Sequence, residues 1–292
     1  MDERNPIVLC NDGFVDNWQG EYAMLLASTD GPSLAGIIIN DSWAWPEIED
    51  NMAGWEQMVA AARESGLGNI PEPLRSNGPV LVRPEDGNID STAPNGSEGA
   101  RFILDASERL AQPNRPLVVV TGGRLTDVAD AYLVDHTAPE RVVVVSSLGS
   151  STEAGGEMGI PNGEMDTWAD VIVTQKFRYV QVSDFYDSTT DVPSSLLPQL
   201  PSNAFTAWIA TKQPDVWDRV VAADQVGVLA VAIPSFVAAV VRVVQQGESE
   251  DGYPVLSSDP SGPLWLVTQV NDAVARARFW ETLLDPSTFG SE

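Results

Sequence analysis

The sequence predicts an α/β fold built on a doubly wound, mainly parallel open sheet. Short apolar runs rich in Val and Ile recur along the chain, and segments with helical spacing lie between most of them. Parallel strands are buried on both faces and need crossover helices, so this alternation is typical of them. With 292 residues, no internal repeat and no clear linker, we expect one domain spanning residues 1–292.

The predicted elements follow one another in a regular order. Strands are expected at residues 6–10, 34–40, 80–82, 116–120, 141–146, 179–182, 238–244 and 264–270. Helices are expected at residues 16–28, 47–65, 97–112, 126–135, 164–177, 204–212, 224–232 and 273–284. Residues 66–98 and 147–163 are rich in Gly, Pro or Asn and predict long loops, and residues 185–202 predict irregular structure.

The chain has one cysteine, Cys10, and one histidine, His136. These counts exclude an internal disulfide, a cysteine-based zinc site, a two-histidine metal site and most triad chemistry. His136 lies between a predicted helix and a predicted strand, where we expect it at the surface. Catalysis by this chain would therefore rely on carboxylates and a metal ion.

The formal net charge is −26 at pH 7. Such a surface repels nucleic acid and anionic membranes, so neither is expected as a partner. The acidity is explained equally by adaptation to high salt and by a genomic bias in composition, and neither explanation indicates a function. The first residues lack the features of a signal peptide, so we expect a cytoplasmic protein, or one exported after removal of a signal sequence.

Polar residues follow several predicted strands at the point where each strand ends. They are Asp12 and Asp16, then Asn40 and Asp41, then Thr121, then residues 146–149. The carboxyl ends of parallel strands meet at one edge of a sheet, where open α/β folds bind their ligands. Asp12 and Asp16 could share a hard cation such as Ca²⁺ or Mg²⁺, which prefers oxygen ligands. Both could equally serve only to cap the helix that follows.

Residues 7–17, Ile-Val-Leu-Cys-Asn-Asp-Gly-Phe-Val-Asp-Asn, resemble the opening of the inosine-uridine-type nucleoside hydrolases. The signature of that family is an Asp-x-Asp-Pro-Gly-x-Asp-Asp loop after the first strand. Further blocks resemble later parts of the family in the same order, at residues 34–38, 97–100, 121–127, 141–149, 164–170, 223–228 and 266–284. The resemblance covers nearly the whole chain and implies a nucleoside hydrolase-like, Rossmann-like sheet.

The resemblance implies that a calcium-bound water attacks the anomeric carbon of a ribonucleoside, and that the protein forms dimers or tetramers. The calcium ligands that it implies are Asp12, Asp16, Asn17, the carbonyl of Thr121, and Asp224. Asp12 also matches the general base. The residues expected to contact the ribose or the base are Glu164, Asp166, Asp16, Asp224 and, by stacking on the base, Trp43.

The chain departs from the family pattern at several positions. Cys10 replaces the first aspartate of the signature, Asn17 replaces the last one, and Asp166 replaces an asparagine. Ala223 stands where many members have the histidine that protonates the leaving base. The leaving-group acid is therefore another residue or it is absent. Tyr179 and Tyr186 could donate a proton, although no motif selects either of them.

Three tryptophans are candidates for stacking on a base. Trp43 and Trp45 follow the second predicted strand, and Trp168 begins the helix after Glu164. Since tryptophans are usually highly buried, packing in the core or at a subunit contact is the competing interpretation for each.

Three functions compete at this stage. The first is a calcium-dependent hydrolase of ribonucleosides or related ribosyl compounds. The second is a catalytically impaired relative that binds calcium and a ribosyl or sugar ligand, or a protein partner. A magnesium-dependent phosphatase would need an Asp-x-Asp nucleophile pair, which Cys10-Asn11-Asp12 does not provide.

Overall fold

A computed structural model describes residues 4–13, 31–147, 151–152, 162–182, 192–193, 198–211, 219–220 and 224–285. Asp16, Asn17, Tyr186, Ala223 and the helix predicted at residues 16–28 lie outside the described residues. Elements are numbered below within the described parts of the chain.

The centre of the molecule is a ten-stranded sheet with the strand order β3-β2-β1-β4-β5-β7-β12-β10-β11-β6. Its strands are β1 Ile7–Asn11, β2 Leu34–Ile39, β3 Pro73–Arg75, β4 Leu117–Gly122, β5 Val142–Ser147, β6 Ser151–Thr152, β7 Arg178–Val182, β10 Val237–Glu248, β11 Pro254–Ser258 and β12 Leu264–Val270. The pairs from β3 through to β12 are parallel, while β10 runs antiparallel to both β12 and β11. The predicted mainly parallel sheet is confirmed.

Helices cover both faces of this sheet. They are α1 Ile48–Glu64, α2 Glu98–Leu110, α3 Thr126–Val134, α4 Ala138–Arg141, α5 Thr167–Lys176, α6 Ala204–Thr211, α7 Gln225–Ala232 and α8 Asp272–Leu284. One apolar core joins the sheet to α1, α6, α7 and α8, and a second core on the other face joins it to α2, α3 and α5. The sheet is therefore doubly wound, as the alternation of elements predicts.

The chain order reverses between β1 and β4. From β1 the chain proceeds outward to β2 and β3, whereas β4 returns to the other side of β1 and continues to β5. In open α/β sheets the crevice at such a switch point is the usual place for a ligand. Strands β8 Val192–Pro193 and β9 Arg219–Val220 form a separate two-stranded ribbon.

The strand predicted at residues 80–82 is wrong. The third strand is instead β3, Pro73–Arg75, which begins seven residues earlier and pairs with β2. The backbone N–H of Leu81 donates to the carboxylate of Asp166 at 2.9 Å and does not join a sheet. Val80 and Val82 consequently remain exposed. Strand β11 was also missed, because Pro254–Ser258 ends in polar residues and is too short for a clear alternation.

No helix in the described ranges is long and apolar enough to cross a membrane.

Candidate functional site

The candidate site lies where β1 and β4 end side by side. The two strands are parallel, and their register pairs Cys10 with Thr121 and Asn11 with Gly122. Gly123 follows and lies against Asp12: a Cβ added there would be 2.9 Å from the backbone nitrogen and 2.9 Å from Oδ1 of Asp12. Only glycine permits this approach, which holds the largely buried Asp12 directly beside the end of β4.

Asp224 reaches the same place from the start of α7. A Cβ added to Gly122 would lie 2.7 Å from the Cβ of Asp224 and 2.6 Å from Nδ2 of Asn11. Asp224 has a left-handed backbone with φ 64°, a conformation that is uncommon outside glycine but that aspartate tolerates better than most residues. Such conformations cluster at functional sites.

Two residues fix the position of Asp224. Nδ2 of Asn162 donates to Oδ1 of Asp224 at 3.0 Å and to the carbonyl of Ser147 at 2.8 Å. The hydroxyl of Ser147 donates to the carbonyl of Asp224 at 2.8 Å. Asn162 is not among the residues predicted for the site, although its place in a glycine-rich loop between β5 and α5 is a signal for such a role.

The donors gathered at this edge are oxygens, which suit a hard cation. Carboxylates of Asp12 and Asp224 flank the Gly122-Gly123 pair, and the carbonyl of Thr121 belongs to the same strand end. The buried hydroxyl of Thr121 has no hydrogen-bond partner among the described residues. Within those residues no group of three or more His, Cys, Asp or Glu side chains forms a metal cluster, and the predicted ligands Asp16 and Asn17 lie outside them.

Beneath this loop lies the buried carboxylate of Asp127, in the first turn of α3. Its Oδ1 accepts from the hydroxyls of Ser76 at 2.7 Å and Ser97 at 2.8 Å. Its Oδ2 accepts from Nδ2 of Asn40 at 3.2 Å and from the thiol of Cys10 at 3.8 Å. Burial, and secondarily the charge of Asp127, raise the pKa of Cys10 well above its ordinary value, so the thiol stays protonated and donates.

Arg124 provides the buried positive charge of this region. Its Nη2 donates to Oδ1 of Asp41 and to the carbonyl of Gly78, both at 2.7 Å. Burial raises the pKa of both Cys10 and Asp166, and the charge of the Arg124 guanidinium opposes this rise. Arg124 therefore offsets part of the negative charge that the loop collects.

The two predicted ribose-binding acids have different surroundings. Glu164 is half-buried in a 3-10 turn, Asn162–Asp166, that leads into α5. Asp166 is buried, and its Oδ2 accepts from Thr126 at 2.6 Å and from the backbone of Leu81 at 2.9 Å. Its Oδ1 accepts from the N–H of Ala169 and so caps α5. Both carboxylate oxygens of Asp166 are thus engaged within the protein.

The tryptophans differ in their relation to the acidic loop. The ring of Trp45 packs on Gly13, since a Cβ added there would lie 3.0 Å from its Nε1. Nε1 of Trp55 donates to the carbonyl of Gly13 at 2.6 Å. Trp43 is 57% exposed in the loop after β2. Trp168 is buried and donates to the hydroxyl of Thr92 at 2.9 Å, so packing is its role.

Of the two proton-donor candidates, Tyr179 lies in β7 and Tyr186 lies outside the described residues. The hydroxyl of Tyr179 is buried in β7 and donates to Oε1 of Gln181 at 3.1 Å. His136 is exposed beyond the end of α3, and its ring stacks on Tyr132 with the centroids 4.7 Å apart. The predicted surface position of His136 is confirmed.

No protein-family profile matches the chain, and no curated protein matches its sequence. Solved structures do match it. A plant nucleoside hydrolase aligns over 97% of this chain and 99% of its own, with a TM-score of 0.67 and 15% identity. An inosine-guanosine nucleoside hydrolase aligns over 98% of this chain and 99% of its own, with a TM-score of 0.67 and 17% identity.

This chain has the nucleoside hydrolase fold. An inosine-uridine preferring nucleoside hydrolase from Bacillus anthracis also aligns over 97% of this chain and 99% of its own, with a TM-score of 0.62 and 15% identity. These likenesses confirm, at the level of fold and over nearly the whole chain, the resemblance that the sequence motifs indicate.

Proposed function

We propose that this chain is a divergent nucleoside hydrolase that cleaves the N-glycosidic bond of a ribonucleoside or a related ribosyl compound. The observation that carries the proposal is that Asp12 packs on Gly123 and Asp224 packs on the adjacent Gly122, at the paired ends of β1 and β4. The nucleoside hydrolase fold supports it, and so does the position of Asp12, Thr121 and Asp224, which the resemblance selects, around the ends of β1 and β4.

The proposed cofactor is Ca²⁺, held by Asp12, Asp16, Asn17, the carbonyl of Thr121, and Asp224. When bound, the ion lowers the pKa of a coordinated water and binds the ribose diol. Asp12 would accept the proton of that water as it attacks the anomeric carbon. The C–N bond would break as the water attacks, its electron pair would leave with the base, and the base would take up a proton from solvent.

The remaining residues would bind and orient the substrate. Glu164, half-buried in the turn before α5, is proposed to bond the ribose hydroxyls and to stabilise the positive charge of the oxocarbenium-like transition state. Asp16 and Asp224 would contact the ribose beside the ion. Asp166 accepts hydrogen bonds from the backbone N–H groups of Leu81 and Ala169 and so caps α5. Glu164 is therefore the preferred candidate of the two for contact with the ribose. Exposed Trp43 would stack on the base.

The alternative function is a catalytically impaired relative that binds calcium and a ribosyl ligand, or a protein partner. Two departures favour it: Asn17 removes a charge from the ligand set, and Ala223 removes the expected acid for the leaving base. Without such an acid, ribosyl compounds with a good leaving group should be cleaved faster than inosine or adenosine.

The test is a panel of purine and pyrimidine ribonucleosides, with p-nitrophenyl riboside as a substrate that needs no acid, incubated with protein and Ca²⁺. We expect free ribose from at least one member and none after EDTA treatment. The matched control is Asp251→Asn, an exposed position in the β10–β11 turn, which should behave as wild type. Calcium binding without ribose from any member would favour the binding function.

We also propose that residues 1–292 act as one domain and assemble as a homodimer or homotetramer. Size-exclusion chromatography with light scattering measures the assembly, and a monomer at all concentrations would contradict it.

A further inference from the structure

The carboxylate of Asp127 joins four separate segments of the chain beneath the Asp12 loop. Its donors are Cys10 in β1, Asn40 after β2, Ser76 after β3 and Ser97 before α2. The start of α2 closes the space around it, since a Cβ at Gly99 would lie 2.5 Å from Cγ of Asp127. The side chain is therefore held in one position by its donors and by packing.

Position 10 is where the family signature has its first aspartate and where this chain has cysteine. The Cys10 thiol donates to Oδ2 of Asp127, 3.8 Å away, and Cys10 lies two residues before Asp12 in the chain. Two buried carboxylates at such a short distance would repel each other strongly. Only one of positions 10 and 127 can therefore carry a negative charge. In this chain the charge is on α3 and not on β1.

Asn40 links this charge to the Asp12 loop. Its Nδ2 donates to Oδ2 of Asp127 at 3.2 Å, and its backbone N–H donates to the carbonyl of Asn11 at 3.0 Å. Nδ2 of Asn11 in turn donates to the carbonyl of Gly122 at 3.0 Å. Each link from Asp127 to the residue before Asp12 is thus a hydrogen bond between buried groups.

We propose that Asp127 is a positioning residue for the cation site, carrying from α3 the buried negative charge that the family signature places at position 10. It orients Asn40 and the end of β1, and its charge adds to the attraction that Asp12 and Asp224 exert on a cation. The inference rests on the proposed calcium-dependent function, which it deepens.

The first part of the experiment moves the charge between the two positions and measures stability in EDTA. The variants are Asp127→Asn, Cys10→Asp, and the two combined. Each single change should lower the melting temperature. Asp127→Asn removes the charge and replaces one acceptor oxygen with an NH2 group, so that two of the four donors lose their acceptor, and Cys10→Asp places two carboxylates close together in the interior. The combined variant, with one carboxylate again, should melt above both single variants. The matched control combines Cys10→Asn with Asp127→Asn. Its side chains have the same shapes as those of the combined variant but no charge, so its melting temperature should not recover.

The second part measures calcium affinity of the folded variants by isothermal titration calorimetry. Loss of a buried residue that orients metal ligands typically weakens metal binding on the order of tenfold to a hundredfold. We expect Asp127→Asn to fall in that range, the charge-relocated double variant to return close to wild type, and the uncharged double control to remain weak. A merely structural Asp127 would lower the melting temperature while leaving the affinity of the folded protein unchanged.

Two results would overturn the inference: additive effects of the two substitutions in EDTA, or equal calcium affinity in the relocated and uncharged double variants. If Asp127→Asn does not fold, the inference is still tested by comparing the melting temperature and the calcium affinity of the two double variants. A wild-type protein that binds no calcium and releases no ribose would instead refute the proposed function, while the melting temperatures in EDTA still test where the charge resides.

Discussion

The two ends of the same parallel strands differ sharply in chemistry. At the carboxyl ends of β1 and β4, buried Asp12, Asp127 and Asp224 are packed against glycines and amide side chains. At the amino ends of β4, β5, β7 and β12 lies a cavity of about 580 Å³ lined mainly by proline and valine, with Arg178 and Trp265 among its walls. This apolar cavity is therefore separate from the place where the carboxylates lie.

This contrast shows how the fold separates stability from chemistry. Apolar runs rich in valine build the strands and bury apolar surface, and the last one or two residues of β1, β4 and β5 are Asn, Thr-Gly and Ser-Ser. The backbone continues into loops there, so polar side chains from distant segments can meet without interrupting the core. Substitutions at the two ends should accordingly affect different measurements.

The largest effect is expected for Asp12→Asn. The amide keeps the shape of the side chain but cannot accept the proton of the attacking water. Ribose release should fall by about 10²–10⁴-fold, while the melting temperature in EDTA stays close to that of wild type. Steady-state assays on the best substrate of the panel measure this. Full activity of the variant would show that Asp12 is not the base.

Gly123→Ala tests the close approach of β4 to Asp12. The added methyl would lie 2.9 Å from the backbone nitrogen of Asp12, so the loop has to shift. We expect at least about tenfold weaker calcium binding and a stability loss of about 1–3 kcal/mol, as overpacking usually causes. Gly68→Ala is the control, because nothing lies within 4 Å of a Cβ there. Unchanged affinity in the Gly123 variant would contradict the described contact.

Val145→Ala tests the apolar part of the strands. Val145 is fully buried in β5 and forms part of the core and of the cavity wall. Removing two methyl groups should lower the free energy of unfolding by about 1–3 kcal/mol. Chemical denaturation measures this, and calcium affinity should not change. Weaker calcium binding would mean that the two ends are coupled through the strand.

The smallest effect concerns Asp135, between α3 and α4. Hydrogen bonds from Arg141, and then from Thr137, lower its pKa from 3.8 to about 2. Because the pKa of Asp135 is lower in the folded than in the unfolded protein, its carboxylate stabilises the folded state above about pH 4. This stabilisation is lost as the pH falls towards about 2. The melting-temperature difference between wild type and Asp135→Asn should therefore shrink over that interval. It should be small throughout, since the pair is partly exposed, and a difference independent of pH would contradict the assignment.

Much of the fold could be predicted because its signals are local. Apolar runs predicted strands, including β12 at its observed bounds, and helical spacing predicted helices. The acidic residues that follow β1 indicated the candidate edge of the sheet. Strand β3 was missed, because Pro73–Arg75 has too few residues to show a period. Its strand character comes from pairing with β2, a contact distant in sequence.

The candidate site was predicted only in part, and for the same reason. Asp12, Thr121 and Asp224 could be selected because they belong to recognisable motifs at strand ends. The role of Asp127 could not, since its four donors come from segments with no common pattern. Nor could the sequence tell that Asp166 uses its oxygens on Thr126, Leu81 and Ala169.

The central claim is that Asp12 and Asp224 hold one cation between them at the Gly122-Gly123 pair. A calorimetric titration of wild type, Asp12→Asn, Asp224→Asn and the control Asp251→Asn with CaCl₂ tests it most directly. The account predicts one calcium ion per chain in wild type and in the control, with binding lost or at least about tenfold weaker in both site variants. No binding by wild type, or equal affinity in all four proteins, would contradict it.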